Sequence, residues 1–165
     1  MATFPRNERT ERERSAPPAA QEMRYWMSAP AITINLDAQV SEALALMHER
    51  SIRRLPVVTA TGEICGIITD GDIRGANVLR ATGMDLRDIA SSLQHTTVYE
   101  VMTDEPITVT PSTGLREAAL LMLDNKIGGL PVVDEHNGGV VGMVTESDLF
   151  EALICYLDAG ARSER

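Results

Sequence analysis

The chain states one pattern twice. Ile52-Arg53-Arg54-Leu55-Pro56-Val57-Val58 leads on to Gly66-Ile67-Ile68-Thr69-Asp70-Gly71-Asp72-Ile73, and Ile127-Gly128-Gly129-Leu130-Pro131-Val132-Val133 leads on to Gly142-Met143-Val144-Thr145-Glu146-Ser147-Asp148-Leu149. Pro56 and Pro131 lie 75 positions apart but Thr69 and Thr145 lie 76 apart, so the second copy carries one extra residue, placed most simply in the turn before Gly138. The match extends upstream through Met27 and Met102, Ile32-Thr33 and Ile107-Thr108, Glu42-Ala43 and Glu117-Ala118, and Leu46-Met47 and Leu121-Met122. Each unit is roughly fifty residues, too short to bury much of its own surface, so two such units are expected to share one cooperative fold.

Periodicity gives each unit the same order. Ile32 to Leu36 reads as a short strand, and Asp37 as the cap of a helix with Val40, Leu44 and Met47 on its apolar face, ended by Arg50-Ser51. Leu55 to Val58 and Ile64 to Thr69 form a hairpin about a turn holding Gly62, and a second helix starts at Thr69-Asp70. The second copy repeats this with strands at 107–109, 130–133 and 140–145 and helices at 115–125 and 146–157. The expected fold is α/β (α+β), two β-α-β-β-α repeats packed pseudo-symmetrically. Repeat 1 covers 23–80 and repeat 2 covers 98–158, joined by a linker at 81–97 around one short helix. The arginine- and glutamate-rich residues 1–22 read as a disordered tail, and 159–165 as a C-terminal tail.

Composition narrows the function. A net charge of −9 opposes general attraction to nucleic acid or an anionic membrane. The longest apolar run, Ala118 to Leu123, is far below the roughly 18 residues a membrane span requires. Acidic residues Glu8, Glu11 and Glu13 argue against a transit peptide, which leaves the cytoplasm as the expected compartment. Cys65 and Cys155 make no metal-ligand spacing with each other or with His48, His95 and His136, so they are expected to be buried thiols and no metal site is expected. No nucleophile elbow and no phosphate loop occurs, and catalysis is not expected.

Two readings fit Thr69-x-x-Asp72 and Thr145-x-x-Asp148. Each is a capping box, with threonine and aspartate satisfying one another's backbone N–H at a helix start. Each is also a seat for a polar ligand, because the helix N-terminus carries free N–H groups and an aspartate accepts two hydrogen bonds from vicinal hydroxyls. The preceding Gly66 and Gly142 allow a ligand or another backbone to come close.

The doubled Ile-x-x-Leu-Pro-Val-Val and Gly-x-x-Thr-x-x-Asp pattern, over roughly residues 23 to 157, resembles the tandem cystathionine-β-synthase (CBS) domain pair, or Bateman module. Thr69-Asp70-Gly71-Asp72-Ile73-Arg74 also resembles CBS pairs appended to bacterial sugar-phosphate isomerases, although no isomerase domain accompanies it here. The resemblance implies a regulatory module binding an adenine nucleotide or adenosyl ligand of the AMP, ADP or ATP class between the repeats. That nucleotide is a regulatory ligand, and no cofactor is implied. Thr69, Asp72, Thr145 and Asp148 match the family's ribose contacts, and Ala31, Ile32, Pro106 and Ile107 its adenine slot. Ile52, Pro56, Val57, Ile127, Pro131 and Val132 complete the walls, or serve only as core. Arg53-Arg54 faces Gly128-Gly129 across the duplication, which predicts unequal sites with Arg53 or Arg54 serving a phosphate, or Lys126 or Arg74 in their place. A homodimer through helix faces such as Leu44 to Met47 and Leu115 to Met122 is also implied, with an unidentified enzyme or transporter as the regulated partner. The alternative is a ligand-free structural or dimerisation module.

Overall fold

The computed structural model describes residues 21–80 and 95–163. The expected tail over residues 1–20 and the linker helix within 81–94 lie outside them. In chain order the elements are β1 (Ile34–Asn35), α1 (Val40–Glu49), β2 (Arg54–Val58), β3 (Ile64–Thr69) and α2 (Asp70–Arg80). They continue with β4 (Thr103–Asp104), α3 (Leu115–Asn125), β5 (Gly129–Val133), β6 (Val140–Thr145) and α4 (Glu146–Ser163). Short 3-10 turns precede each repeat at Met23–Tyr25 and Val98–Glu100.

β2 and β3 pair as an antiparallel hairpin and β1 lies parallel to β2, with Ile34 beside Val57. Repeat 2 reproduces this with the β5–β6 hairpin and a parallel bridge from Val109 to Val132. The extra residue sits in the hairpin turn: Gly62 N–H donates to Thr59 O in the first copy, whereas Gly138 N–H donates to Asp134 O in the second. Both glycines have positive φ, +85° and +68°, which explains glycine at these corners.

Several boundaries move. The Asn35 carbonyl and side chain accept from Ala38 N–H (3.1 Å) and Asp37 N–H (2.9 Å), making a turn that delays α1, so Gln39 and not Asp37 is its N-cap. The expected strand at Ile107–Val109 shrinks to Val109, whose N–H donates to Pro131 O and whose carbonyl accepts from Val133 N–H. α4 runs to Ser163, through the expected C-terminal tail. Gln21, placed by the sequence in the N-terminal tail, has a carbonyl that accepts from Leu115 N–H.

The repeats exchange their lead-in segments. Met23 is fully buried in the second repeat's core with Val109, Ala118, Met122, Leu130, Val132 and Val144, and Met27 packs against the same cluster. Val98 is fully buried in the first repeat's core with Ile34, Val40, Ala43, Met47, Leu55, Val57, Ile68 and Ile73. Backbone pairing follows: β4 adds to β3 through Gly66–Asp104 and Ile67–Thr103, and Ser28 adds to β6 at Met143.

Gly66 and Gly142 make this exchange possible. A Cβ on Gly66 would lie 2.4 Å from Met102 Sδ and 3.1 Å from Thr103 O, and one on Gly142 would lie 2.8 Å from Met27 Sδ and 3.0 Å from Ser28 O. The close approach these glycines permit is therefore to the exchanged backbone and its methionine. Gly142→Ala is expected to cost about 1–3 kcal/mol by overpacking, read as a lower urea midpoint at unchanged slope. Met23→Ala is expected to cost about 2–5 kcal/mol. Hydrogen exchange should then show protection lost first in α3, β5 and β6, although Met23 precedes repeat 1.

Candidate functional site

The strand register gathers the candidate residues at one edge of each sheet. Because β1 runs parallel to β2, residues 31–33 lie beside the start of β2, which is also where β3 ends and α2 begins. Asp70 N–H donates to Arg53 O (3.0 Å), tying the two segments together. Ala31, Ile32, Ile52, Arg54, Thr69 and Asp72 are half-buried at this edge, and Arg53 is exposed. The second repeat gathers Pro106, Ile107, Ile127, Thr145 and Asp148 in the same way, with Glu146 N–H donating to Gly128 O.

Both Thr-x-x-Asp pairs close as caps. Thr69 N–H (2.8 Å) and Oγ1–H (2.7 Å) donate to Asp72 Oδ2, and Asp72 N–H donates back to Thr69 Oγ1 (3.2 Å). Thr145 N–H (2.7 Å) and Oγ1–H (2.9 Å) donate to Asp148 Oδ2. Only one oxygen of each carboxylate takes part in these bonds, and a carboxylate offers about four lone-pair sites. The cap thus orients each aspartate through Oδ2. Asp148 is the more enclosed, at 5% exposure.

Four of the expected wall residues are fully buried. Val57 and Val132 lie in the two cores, and Pro56 and Pro131, which alternate with them along β2 and β5, are fully buried outside those clusters. Ile52 and Ile127 pack against the cores but remain partly accessible.

The basic residues separate. Arg74 is committed to Asp70 through an i,i+4 ion pair of 2.9 Å, and Lys126 caps α3 in the left-handed conformation, exposed. Arg54 crosses to the second repeat: its guanidinium lies against the backbone of Gly128 and Gly129. Burial lowers the Arg54 pKa, opposed by attraction to Glu146 and Asp148, with Arg53 adding repulsion. That crossing was absent from the sequence reading. Its signal is the arginine pair facing a glycine pair at the same positions, a projection opposite a space.

Cys65 and Cys155 are both free and half-buried. Burial pushes the Cys65 thiol up, and its S–H donates to Val57 O at 3.5 Å. Among the described residues no cluster of histidine, cysteine and carboxylate is placed to hold a metal, and no helix is long and apolar enough to cross a membrane.

The helix faces expected to dimerise are largely inward: Met47 and Met122 are buried, and Leu44, Leu46, Leu115 and Leu121 pack against the cores. Of those faces Leu120 is exposed, and the other exposed large apolar side chains of α3 and α4 are Leu123, Phe150, Leu153, Ile154 and Leu157.

An exchanged pair of β-α-β-β-α repeats with twin Thr-x-x-Asp helix starts defines a class. The CBS domain profile matches residues 20–78 and 98–155, and the chain belongs to the CBS domain family. It is 40% identical over 136 residues to a CBS domain-containing protein of Dictyostelium discoideum, covering 82% of this chain and 93% of that protein. Among solved structures, CBSX2 in complex with AMP has a TM-score of 0.68 at 25% identity, covering 81% of this chain and 97% of that one. The CBS domain pair of protein MJ0100, in complex with 5-methylthioadenosine and S-adenosyl-L-methionine, has a TM-score of 0.68 at 29% identity, with coverage of 80% and 98%.

Removing a cap is expected to weaken the fold even without ligand. Thr69→Ala should cost about 0.5–2 kcal/mol, measured by urea denaturation. Cys65 alkylation by iodoacetamide should have its pH midpoint above that of a free thiol. Because the folded-state pKa is raised, the associated stability is complete below the ordinary thiol pKa and is lost as pH climbs through the raised value.

Proposed function

We propose that this protein is a regulatory sensor that binds an adenine nucleotide or related adenosyl ligand between its repeats and signals to a partner protein. The observation that carries this reading is the pair of Thr-x-x-Asp helix starts, each with a carboxylate held in place by its threonine and with N–H groups at the head of α2 or α4. A ribose diol would be accepted by Asp72 or Asp148, and an adenine ring would lie along Ala31-Ile32 or Pro106-Ile107. Support also comes from the two solved relatives, one bound to AMP and the other to 5-methylthioadenosine and S-adenosyl-L-methionine.

Signalling proceeds by population shift. A ligand touching residues of both repeats stabilises one arrangement of the exchanged pair, and the partner reads that arrangement because the ligand's affinity differs between states. The module has no reaction of its own and works in the cytoplasm. It forms a homodimer through α3 and α4, where Phe150, Leu153, Ile154 and Leu157 follow helical spacing on a solvent-facing stripe.

A second reading, a ligand-free dimerisation module, is favoured by the completeness of the first cap, which accounts for Thr69 and Asp72 without a ligand. Calorimetry and thermal shift with AMP, ADP, ATP and S-adenosylmethionine separate the two. The sensor should gain about 2.7 kcal/mol of stability at 100 times the dissociation constant. Asp72→Ala and Asp148→Ala should each weaken ligand binding by roughly 1.5–3 kcal/mol. No shift with any adenosyl ligand leaves the dimerisation module. Leu153→Asp with Leu157→Asp should convert the dimer to monomer in sedimentation velocity; an unchanged dimer refutes the proposed face.

A further inference from the structure

The joint where the repeats exchange their lead-in segments is built twice from the same pair of residues, a glycine and a thioether laid across it. Met27 Sδ and Cγ lie 2.8 and 3.2 Å from where a Gly142 Cβ would be; Met102 Sδ lies closer still to the corresponding point on Gly66, with its Cγ at 3.1 Å. Both glycines are buried, and at each of them the sulfur is the nearest atom. An unbranched, polarisable thioether suits so close a contact. Beside it the backbones pair, Ser28 with Met143 of β6, and Thr103 and Asp104 with Ile67 and Gly66 of β3.

Accessibility divides the methionines. Met23 is 0% exposed and Met47 and Met122 are 4% exposed, deep in the two cores. Met27 and Met102 are half-buried at the sheet edges and partly open to solvent. Met143 is half-buried as well, but it meets Gly129 through its methyl Cε. The atoms that seat the exchanged segments are thus two thioether sulfurs on the accessible methionines, and sulfur can change oxidation state in place. Each of these methionines is followed four positions on by the candidate adenine slot, at Ala31 and at Pro106 (31 − 27 = 106 − 102 = 4).

We propose that Met27 and Met102 are paired oxidation sites, at which a peroxide releases the exchanged segments and loosens the coupling between the repeats. The thioether sulfur attacks one peroxide oxygen: an S–O bond forms as the O–O bond breaks, the sulfur gives up two electrons, and the departing hydroxide takes the remaining proton and leaves as water. The sulfoxide is polar and chiral where the thioether was apolar. Its oxygen requires a hydrogen-bond partner, and the glycine beneath the sulfur has no side chain to supply one. The segment lifts to hydrate the oxygen, and the chain leading into the candidate slot lifts with it. This redox input acts on the joint and stands whether or not an adenosyl ligand binds.

Hydrogen peroxide on the full chain, followed by peptide mass mapping, hydrogen exchange and urea denaturation, tests this. Met27 and Met102 should gain oxygen well before Met23, Met47 and Met122. The oxidised protein should show an unfolding equilibrium constant raised by roughly 5- to 150-fold, with protection lost first at Ser28, Ile67, Thr103, Asp104 and Met143. Methionine sulfoxide reductases A and B, supplied with dithiothreitol, should restore both properties. Dithiothreitol alone, the control for oxidised Cys65 and Cys155, should restore neither. Met27→Leu combined with Met102→Leu nearly conserves volume and should keep its urea midpoint through the same peroxide treatment, although Met1, Met84 and Met143 remain. Should that variant fail to fold, the order of oxidation and the reductase reversal in the wild type decide. Oxidation of Met23 or Met122 ahead of Met27 and Met102, sulfoxides at 27 and 102 with an unchanged urea midpoint, or a double variant as peroxide-sensitive as the wild type overturns the proposal.

Discussion

Everything in this structure depends on the burial of each repeat's lead-in segment in the other repeat. Met23 and Val98 are 0% exposed, and each completes a core whose other members come from the opposite repeat. A unit of roughly fifty residues is small for an independent core, and without the borrowed side chain each core here would be open on one side. Folding of one repeat is consequently coupled to folding of the other. The coupling is backbone as well as apolar, because β4 and Ser28 extend the partner sheets.

That constraint also positions the candidate sites. The exchanged segments occupy the outer edges of β3 and β6, while the ends of those strands turn into α2 and α4 at Thr69 and Thr145. The residues just before β1 and β2 come to the same edge through parallel pairing. The exchanged segments and the two helix starts are thus carried by the same strands, β3 and β6. Near-perfect duplication would make the two sites alike. The Arg54 side chain lying over Gly128-Gly129 prevents that, since one repeat contributes the projection and the other the space.

The hairpins, the helix that follows each and the one-residue insertion were legible in the sequence because each depends on local pattern: β-branched runs, a glycine at the corner, Thr-x-x-Asp at the helix start. The start of α1 was misplaced, because Asn35 binds its own downstream backbone and postpones the helix. The glycines at 66 and 142 were read as openings for a ligand or a backbone, and the backbone won. Nothing local distinguishes these, since both need only the absence of a side chain. Val57 and Val132 illustrate the same limit, being apolar enough for a slot and lying in the core.

The sequence by itself determined that there are two copies of one unit, the order of elements within each, the family they belong to, and the chemical inequality of Arg53-Arg54 and Gly128-Gly129. These are properties of neighbours along the chain. Only the tertiary structure decided which repeat each lead-in segment completes, which apolar residues face solvent, and which site receives Arg54. Those depend on contacts between residues far apart in the chain, such as Met23 with Val144 and Arg54 with Gly129, where symmetry makes the repeat's own partner and the other repeat's equivalent indistinguishable in pattern. Space alone separates them: a missing Cβ at Gly129 is an unremarkable glycine in the sequence and a seat for a guanidinium in the fold.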